Sequence, residues 1–134
     1  MKKSNREKAI ELLKGGYDLH THSSPSLAER GLDDFELIKE ADEFGMAGVM
    51  IKNHYEPTQS RAQLVNKYSR ANAKAFGGIV LNWPVGGINP YAVENALYNG
   101  ARMVWMPTMD ANSFMKYGKF SHDIFERIKY EYAG

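Results

Sequence analysis

The sequence has no cysteine, only five prolines and no long hydrophobic run. Without cysteine, a disulfide scaffold, a cysteine-ligated zinc site, an iron–sulfur cluster and a thiol nucleophile are all excluded. The apolar runs are too short to span a bilayer, so we expect no membrane partner. The N-terminal segment is basic but lacks the continuous apolar core of a signal peptide, and we therefore expect a cytoplasmic location.

An excess of charge of one sign is also lacking. The chain of 134 residues has 17 Lys+Arg against 16 Asp+Glu, a formal net charge of +1. This balance gives no reason to expect nucleic acid as a partner. Apolar residues make up 43% of the chain, which is typical of a folded protein and predicts one domain over residues 1–134. No Gly-x-Ser-x-Gly motif is present, so a serine nucleophile elbow is not expected.

Four short segments have the composition of buried strands, and they begin about 24 to 30 residues apart. They are Tyr17–His20, Ala47–Lys52, Gly77–Asn82 and Ala101–Met106. Runs that are apolar on both faces are typical of parallel strands covered by helices. We therefore predict an α/β protein built from parallel βα units, with Trp105 and Met106 in its core.

Capping residues predict where the intervening helices begin. These residues are Asp33 or Asp34, Ser60 with Gln63, and Asn89 followed by Pro90. Ser4 with Glu7 predicts a short first helix, and Ser121 predicts the start of a last one. The predicted order is α-βαβαβαβα.

Four βα units could form a small open sheet or one half of an eight-unit barrel. A complete barrel usually needs about 250 residues, so four strands could supply only half of a TIM-type (β/α)8 barrel, and both arrangements stay open at this point. Half a barrel exposes edge strands and apolar surface. Self-association into a homo-oligomer is therefore expected.

Polar side chains follow each predicted strand, where ligands of α/β proteins bind. His20 and His22 are two residues apart, so both imidazoles lie on one side of an extended strand and could share one divalent cation. The alternative is a pair of hydrogen-bonded or surface histidines. Asp18 shares this face by spacing, and could be a ligand or could orient an imidazole.

Lys52 and His54 occupy the corresponding position after the second strand. His54 could be a third metal ligand or a histidine that packs in the loop. Lys52 could bind an anionic substrate group, pair with Asp18 or a nearby acid, or become a carbamate. A salt bridge at the mouth of the sheet is the plainer interpretation.

The last two strands add candidates for substrate binding. Asn82 could orient a substrate or hold a loop by hydrogen bonds, and Thr108 follows the fourth strand. Arg30 and Arg61 lie in or near the predicted loops. Either arginine could meet a carboxylate or phosphate, or could make a surface ion pair.

Five motifs in order resemble an uncharacterised amidohydrolase-like family of the amidohydrolase and PHP metal-dependent hydrolases. The motifs are Asp18–His22 with the following Ser-Ser-Pro, Ile51–His54, Gly77–Asn82, Gly86–Pro90 and Val104–Thr108. The resemblance covers roughly residues 15 to 115. It implies a TIM-type barrel, of which this chain carries the N-terminal half.

The resemblance also implies a site with one or two divalent metal ions, zinc or alternatively manganese or iron. Such a site activates water to hydrolyse an amide, ester or phosphoester of a small molecule. Our own hypothesis for this chain is that His20, His22 and His54 bind metal, with Asp18 and Lys52 as catalytic residues, although Lys52 does not match the lysine of the resembling enzymes. Asn82, Arg30 and Thr108 would contact substrate. The alternative is a non-catalytic oligomeric module that keeps the fold and one metal.

Overall fold

The computed structural model describes residues 3–117, which alternate between helices and strands. The helices are α1 Asn5–Leu13, α2 Asp34–Glu43, α3 Gln59–Tyr68, α4 Pro90–Tyr98 and α5 Asn112–Tyr117. The strands are β1 Tyr17–Thr21, β2 Gly48–Ile51, β3 Lys74–Val80 and β4 Met103–Trp105. A short 3₁₀ turn at Trp83–Val85 follows β3. The helix predicted from Ser121 lies outside the described residues.

The four strands form one sheet in the order β1-β2-β3-β4, and each neighbouring pair is parallel. The sheet is curled, with helices α2 to α4 between its strands, so the fold is half of a βα barrel. The prediction of an α/β half-barrel with four strands is confirmed. The carboxyl ends of all four strands therefore meet at one mouth.

The outer face of the sheet carries the hydrophobic core. Val49, Ile51 and Ala75 pack there with Ile38 of α2 and Val65 of α3. A second cluster packs α4 against β3. Its members are Ile79 in β3, Leu81 just after it, Ala96 in α4 and Ala101 just before β4. Burial of these apolar side chains holds helices α2 to α4 against the sheet.

The inner face carries the residues that alternate with that core. Met50 pairs with Phe76, and Val80 pairs with Trp105. A methyl group added to Gly78 would come within 2.6 Å of the Trp105 ring, so glycine at this position lets the indole lie across β3. The core prediction is wrong for Met106, which is 62% exposed, because it lies past the last residue of β4 and outside both hydrophobic clusters of the described residues. Trp105 is half-buried.

Three of the predicted helix starts are confirmed. Ser4 and Asp33 each form a capping box, and Asn89 caps α4 ahead of Pro90. The start predicted at Ser60 is wrong, because α3 begins at Gln59 after Thr58. The Thr58 hydroxyl donates to the Ile51 carbonyl at 2.7 Å and accepts from the Gly78 N–H at 2.9 Å, so it links two strands instead of capping a helix.

Within residues 3–117, the helices are all too short, or too polar, to cross a membrane.

Candidate functional site

The end of β1 brings two imidazoles together. The Nε2 atoms of His20 and His22 lie 3.2 Å apart, with ring centroids at 5.1 Å. The register of β1 against β2 shifts between Asp18 and Thr21, which marks a bulge or irregularity. A bulge re-aims side chains at the edge of a sheet. The two imidazoles that sequence spacing placed together are therefore together in the structure.

Asp18 does not join them. Its Oδ1 accepts a hydrogen bond from the backbone N–H of His20 at 2.9 Å, and the residue is exposed. The register pairs Asp18 with Val49, whose side chain packs in the helix-side core. The shift after Asp18 breaks the alternation on which the shared face depended, and the carboxylate acts on the backbone of His20 instead of on its ring.

Lys52 follows β2 and lies directly beside this pair. Its Nζ is 3.4 Å from His20 Nε2 and 5.3 Å from the centroid of the Trp105 ring. The residue is only 4% exposed, and burial lowers the pKa of its ammonium group. The side chain thus places a desolvated cation at the mouth, against an aromatic face that favours it.

His54 completes a group of three histidines. Its ring stacks on that of His22 with centroids 4.8 Å apart, and its Nδ1 lies 2.9 Å from the Thr108 hydroxyl. Burial, with the neighbouring positive charges, lowers the pKa of His54 from 6.5 to about 4. The pKa of His22 is lowered too, first by burial and then by the charge of Arg30. His22 and His54 are therefore neutral at pH 7, the form that binds metals.

Asn82 and Thr108 tie the third and fourth strand ends to this group. Asn82, 2% exposed, donates from Nδ2 to the His54 carbonyl and to the Thr108 hydroxyl, both at 3.1 Å. Its Oδ1 accepts from the Thr108 N–H at 2.8 Å. Of the two interpretations of Asn82, the structure shows the loop-holding one. Thr108 in turn positions the His54 ring.

Arg30 lies in the loop between β1 and α2, which follows the same strand end. Its positive charge lowers the pKa values of both His22 and His54. Within residues 3–117, the Arg30 Nε is buried and has no hydrogen-bond partner. We call His20, His22, Arg30, Lys52 and His54 the histidine mouth.

Arg61 does not belong to the histidine mouth but to a neighbouring cluster that the sequence pattern did not predict. Its Nε and Nη2 donate to the two Asp34 carboxylate oxygens at 2.7 and 2.8 Å, and its Nη1 donates to Glu56 at 2.6 Å. Ser23 donates to Asp34 at 2.5 Å, and its carbonyl accepts from Arg61 at 3.2 Å. We call these four residues the arginine cluster.

The arginine cluster holds the loop that follows His22. Burial alone lowers the pKa of Arg61, but hydrogen bonds and charges from Asp34 and Glu56 outweigh burial and raise it. A signal for the cluster existed in the sequence. Asp33 and Asp34 are adjacent, and a helix needs only one of them as its cap, which leaves the other to pair with a cation.

The His20–His22 pair fits a divalent cation as two of its ligands. Nitrogen ligands bound to zinc at 2.0–2.1 Å in tetrahedral geometry lie about 3.3 Å apart, close to the distance between the two Nε2 atoms. Within residues 3–117, no group of three or more histidine, aspartate or glutamate side chains is arranged to hold a metal ion. The pair is therefore a partial site in the described part of the chain.

The fold and the site together define a class: a parallel βα half-barrel whose mouth carries the neutral imidazoles of His22 and His54 and two cations that have no acidic partner within residues 3–117. The sequence profile of a family of unknown function, DUF6282, matches residues 15–131, and the chain belongs to this family. The comparison with curated proteins and the comparison with solved structures found no match.

Proposed function

We propose that this protein is a metal-dependent hydrolase of a small molecule, in which His20 and His22 hold a divalent cation. Zinc suits two imidazole ligands best, and manganese and iron are the alternatives. The observation that carries the proposal is the 3.2 Å separation of the two Nε2 atoms at the carboxyl ends of the strands. A bound cation would supply Lewis-acid polarisation and bring the pKa of water toward about 7 for attack on an amide, ester or phosphoester.

The surrounding residues have distinct roles in this proposal. Asp18 fixes the backbone of His20, and Thr108 fixes the ring of His54 through Nδ1. This arrangement leaves His54 Nε2 to add a metal ligand or to contact substrate. Lys52 positions the substrate, as its Nζ lies beside His20. Asn82 holds the β2 and β4 loops together and acts through them.

The test is hydrolysis of model amides, esters and phosphoesters by the purified chain with zinc, manganese or iron. We expect metal-dependent turnover that disappears in His20→Ala. The matched control is Lys74→Ala, which changes an exposed residue at the opposite end of β3 and should keep full activity. No turnover with any of the three metals would contradict the proposal for this chain.

A second candidate function is a non-catalytic oligomeric module, and the edges of the sheet favour it. Within residues 3–117, β1 and β4 each pair with one neighbour only. Apolar side chains are exposed on both edges: Tyr17 and Leu19 at 58%, Val104 at 37% and Met106 at 62%. Unpaired, apolar edge strands associate readily.

We propose that the chain forms a homo-oligomer in the cytoplasm, with β4 of one copy beside β1 of the next. Two copies would supply the eight strands of a closed barrel. Sedimentation by analytical ultracentrifugation should show an oligomer at micromolar concentration, and a monomer would contradict the assembly. Tight association with metal-independent stability and no hydrolysis would favour the module over the enzyme.

A further inference from the structure

Two cations at the histidine mouth have no acidic partner in the described part of the chain. The ion pairs found there use Lys3, Lys39 and Arg61 and none uses Lys52 or Arg30. Lys52 is 4% exposed, and the Nε of the half-buried Arg30 is shielded from solvent without a hydrogen bond within residues 3–117. Burying a charge or a donor without a partner is costly, so a fold that keeps Lys52 and Arg30 in this state has a use for them.

The acidic groups near the mouth are engaged elsewhere. The Asp18 carboxylate accepts from the His20 N–H, and Asp110 accepts from the Trp83 N–H. Glu56 pairs with Arg61. The structure thus removes one interpretation of Lys52, a salt bridge with Asp18 or another acid within residues 3–117.

The two cations act on the same imidazoles. Lys52 and Arg30 follow the carboxyl ends of neighbouring strands: the Lys52 N–H donates to the Thr21 carbonyl at 2.8 Å, and Arg30 lies in the loop that Thr21 leads into. The charges of both act on His22 and on His54, in agreement with this placement. The ammonium group is a compact point charge with three donors, and the guanidinium offers a planar set of N–H donors. Together they match the oxygens of an anion better than any neutral group.

We propose that the histidine mouth binds an oxyanion group, phosphate or carboxylate, between Lys52 and Arg30. This site rests on the proposed function, because the oxyanion would be part of the small molecule that the hydrolase acts on. The substrate is then anionic. The oxyanion supplies the counter-charge that both cations lack and is held next to the imidazoles of His22 and His54. Its binding requires no metal, so the two proposals can fail separately.

Inorganic phosphate and acetate, in separate titrations, are the probes. The protein is treated with EDTA, and binding is followed by calorimetry and by the rise in melting temperature that a ligand of the folded state produces. We expect saturable binding, weakened at least about tenfold in Lys52→Met and in Arg30→Met, since each removes a buried partner of the charge. Lys74→Met, an exposed lysine at the far end of β3, should bind as the wild type does.

Tighter phosphate binding would assign a phosphoryl group and tighter acetate binding a carboxylate, and either supports the proposal. Circular dichroism of each variant separates lost binding from lost folding. Three results would overturn the proposal: neither probe binds, binding is equal in folded Lys52→Met, Arg30→Met and the control, or carbon-13 NMR in labelled bicarbonate shows a carbamate on Lys52. If the protein binds an oxyanion but takes up no metal, the metal-dependent hydrolase proposal is wrong and the oxyanion site is supported.

Discussion

The arginine cluster and the histidine mouth are neighbouring polar groups with opposite electrostatics. In the arginine cluster, Arg61 meets two carboxylates through three N–H groups, and every charge has a partner. In the histidine mouth, Lys52 and Arg30 have no carboxylate partner within residues 3–117. Both groups lie at the carboxyl ends of the strands, so position alone does not separate a structural cluster from a binding site. The two are distinguished by whether each charged side chain has a partner of opposite charge.

The two groups are also physically joined. Ser23 belongs to the arginine cluster and directly follows His22, and Asn53 donates to Glu56 at 3.1 Å and directly precedes His54. The paired cluster therefore holds the loops that carry the unpaired one. This arrangement lets a costly group of like charges persist, because the charges of the neighbouring arginine cluster are paired and hold the loops in place.

Breaking the arginine cluster should produce the largest effect. Arg61→Met leaves Asp34 buried without its cation, which should lower the free energy of unfolding by about 3 to 5 kcal/mol. Urea denaturation measures this change. Arg102→Met, at an exposed arginine that precedes β4, is the control and should change stability by no more than about 0.5 kcal/mol. Equal effects in the two variants would show that the cluster does not stabilise the fold.

Acidification should destabilise the protein by protonating His54 in the histidine mouth. The pKa of His54 in the folded protein, about 4, lies below its ordinary value of 6.5, so between these values the unfolded chain binds more protons. Stability of the metal-free protein should therefore fall as pH drops from 6.5 toward 4. His20, His22, Lys52 and Arg30 all oppose the new charge.

Between pH 7 and pH 5, the free energy of unfolding should fall by about 1 to 2 kcal/mol. Solvent screening makes this fall smaller than the full pKa shift of His54 would give. Denaturation curves at the two pH values measure it, and proton NMR should find the His54 ring neutral at pH 5.5. The same curves for a His54→Gln variant are the control and should differ less with pH. A His54 ring that titrates at its ordinary pKa would contradict the desolvated mouth.

Removing the Lys52 cation should raise the free energy of unfolding, whereas removing the Arg61 cation should lower it. Lys52→Met keeps an apolar stem against Trp105 and removes an uncompensated charge, so stability should rise by about 1 kcal/mol in the absence of anions and metals. Urea denaturation beside Lys74→Met tests the sign. A fall of similar size would mean that Lys52 has a stabilising partner after all.

The smallest effect is expected at the edge of the mouth. Thr108→Val removes a hydroxyl that contacts His54 and Asn82, and should cost about 0.5 to 1.5 kcal/mol. Thr108→Ser keeps the hydroxyl and is the matched control. Loss of the contact should also let the His54 ring turn, which would weaken its nuclear Overhauser contact with the His22 ring. An unchanged contact would show that Thr108 does not position His54.

Local patterns were enough to predict the sheet and the paired histidines. The apolar runs located four parallel strands, and the spacing of His20 and His22 brought their rings together, since both signals depend on neighbours in the chain. The position of Asp18 could not be predicted in this way. The register shift after it arises from pairing with β2, which the spacing of residues in β1 does not encode.

Contacts between the loops at the strand ends could not be predicted from the sequence either. His54 meets Thr108 across 54 residues, and Arg61 meets Asp34 across 27. Such pairs depend on how the sheet curls and which loops it brings together. The sequence could therefore nominate Arg30, Arg61 and Lys52 as cations near the mouth. Only the fold could separate the paired one from the other two.

Elemental analysis of the purified protein decides whether His20 and His22 hold a metal ion. The protein is purified without an affinity tag or added metal, beside a His20→Ala/His22→Ala double variant. If the two histidines bind metal, the wild type holds near-stoichiometric zinc, manganese or iron and the double variant holds none. A wild-type protein that holds no metal, even after dialysis against micromolar zinc, would rule out this metal site.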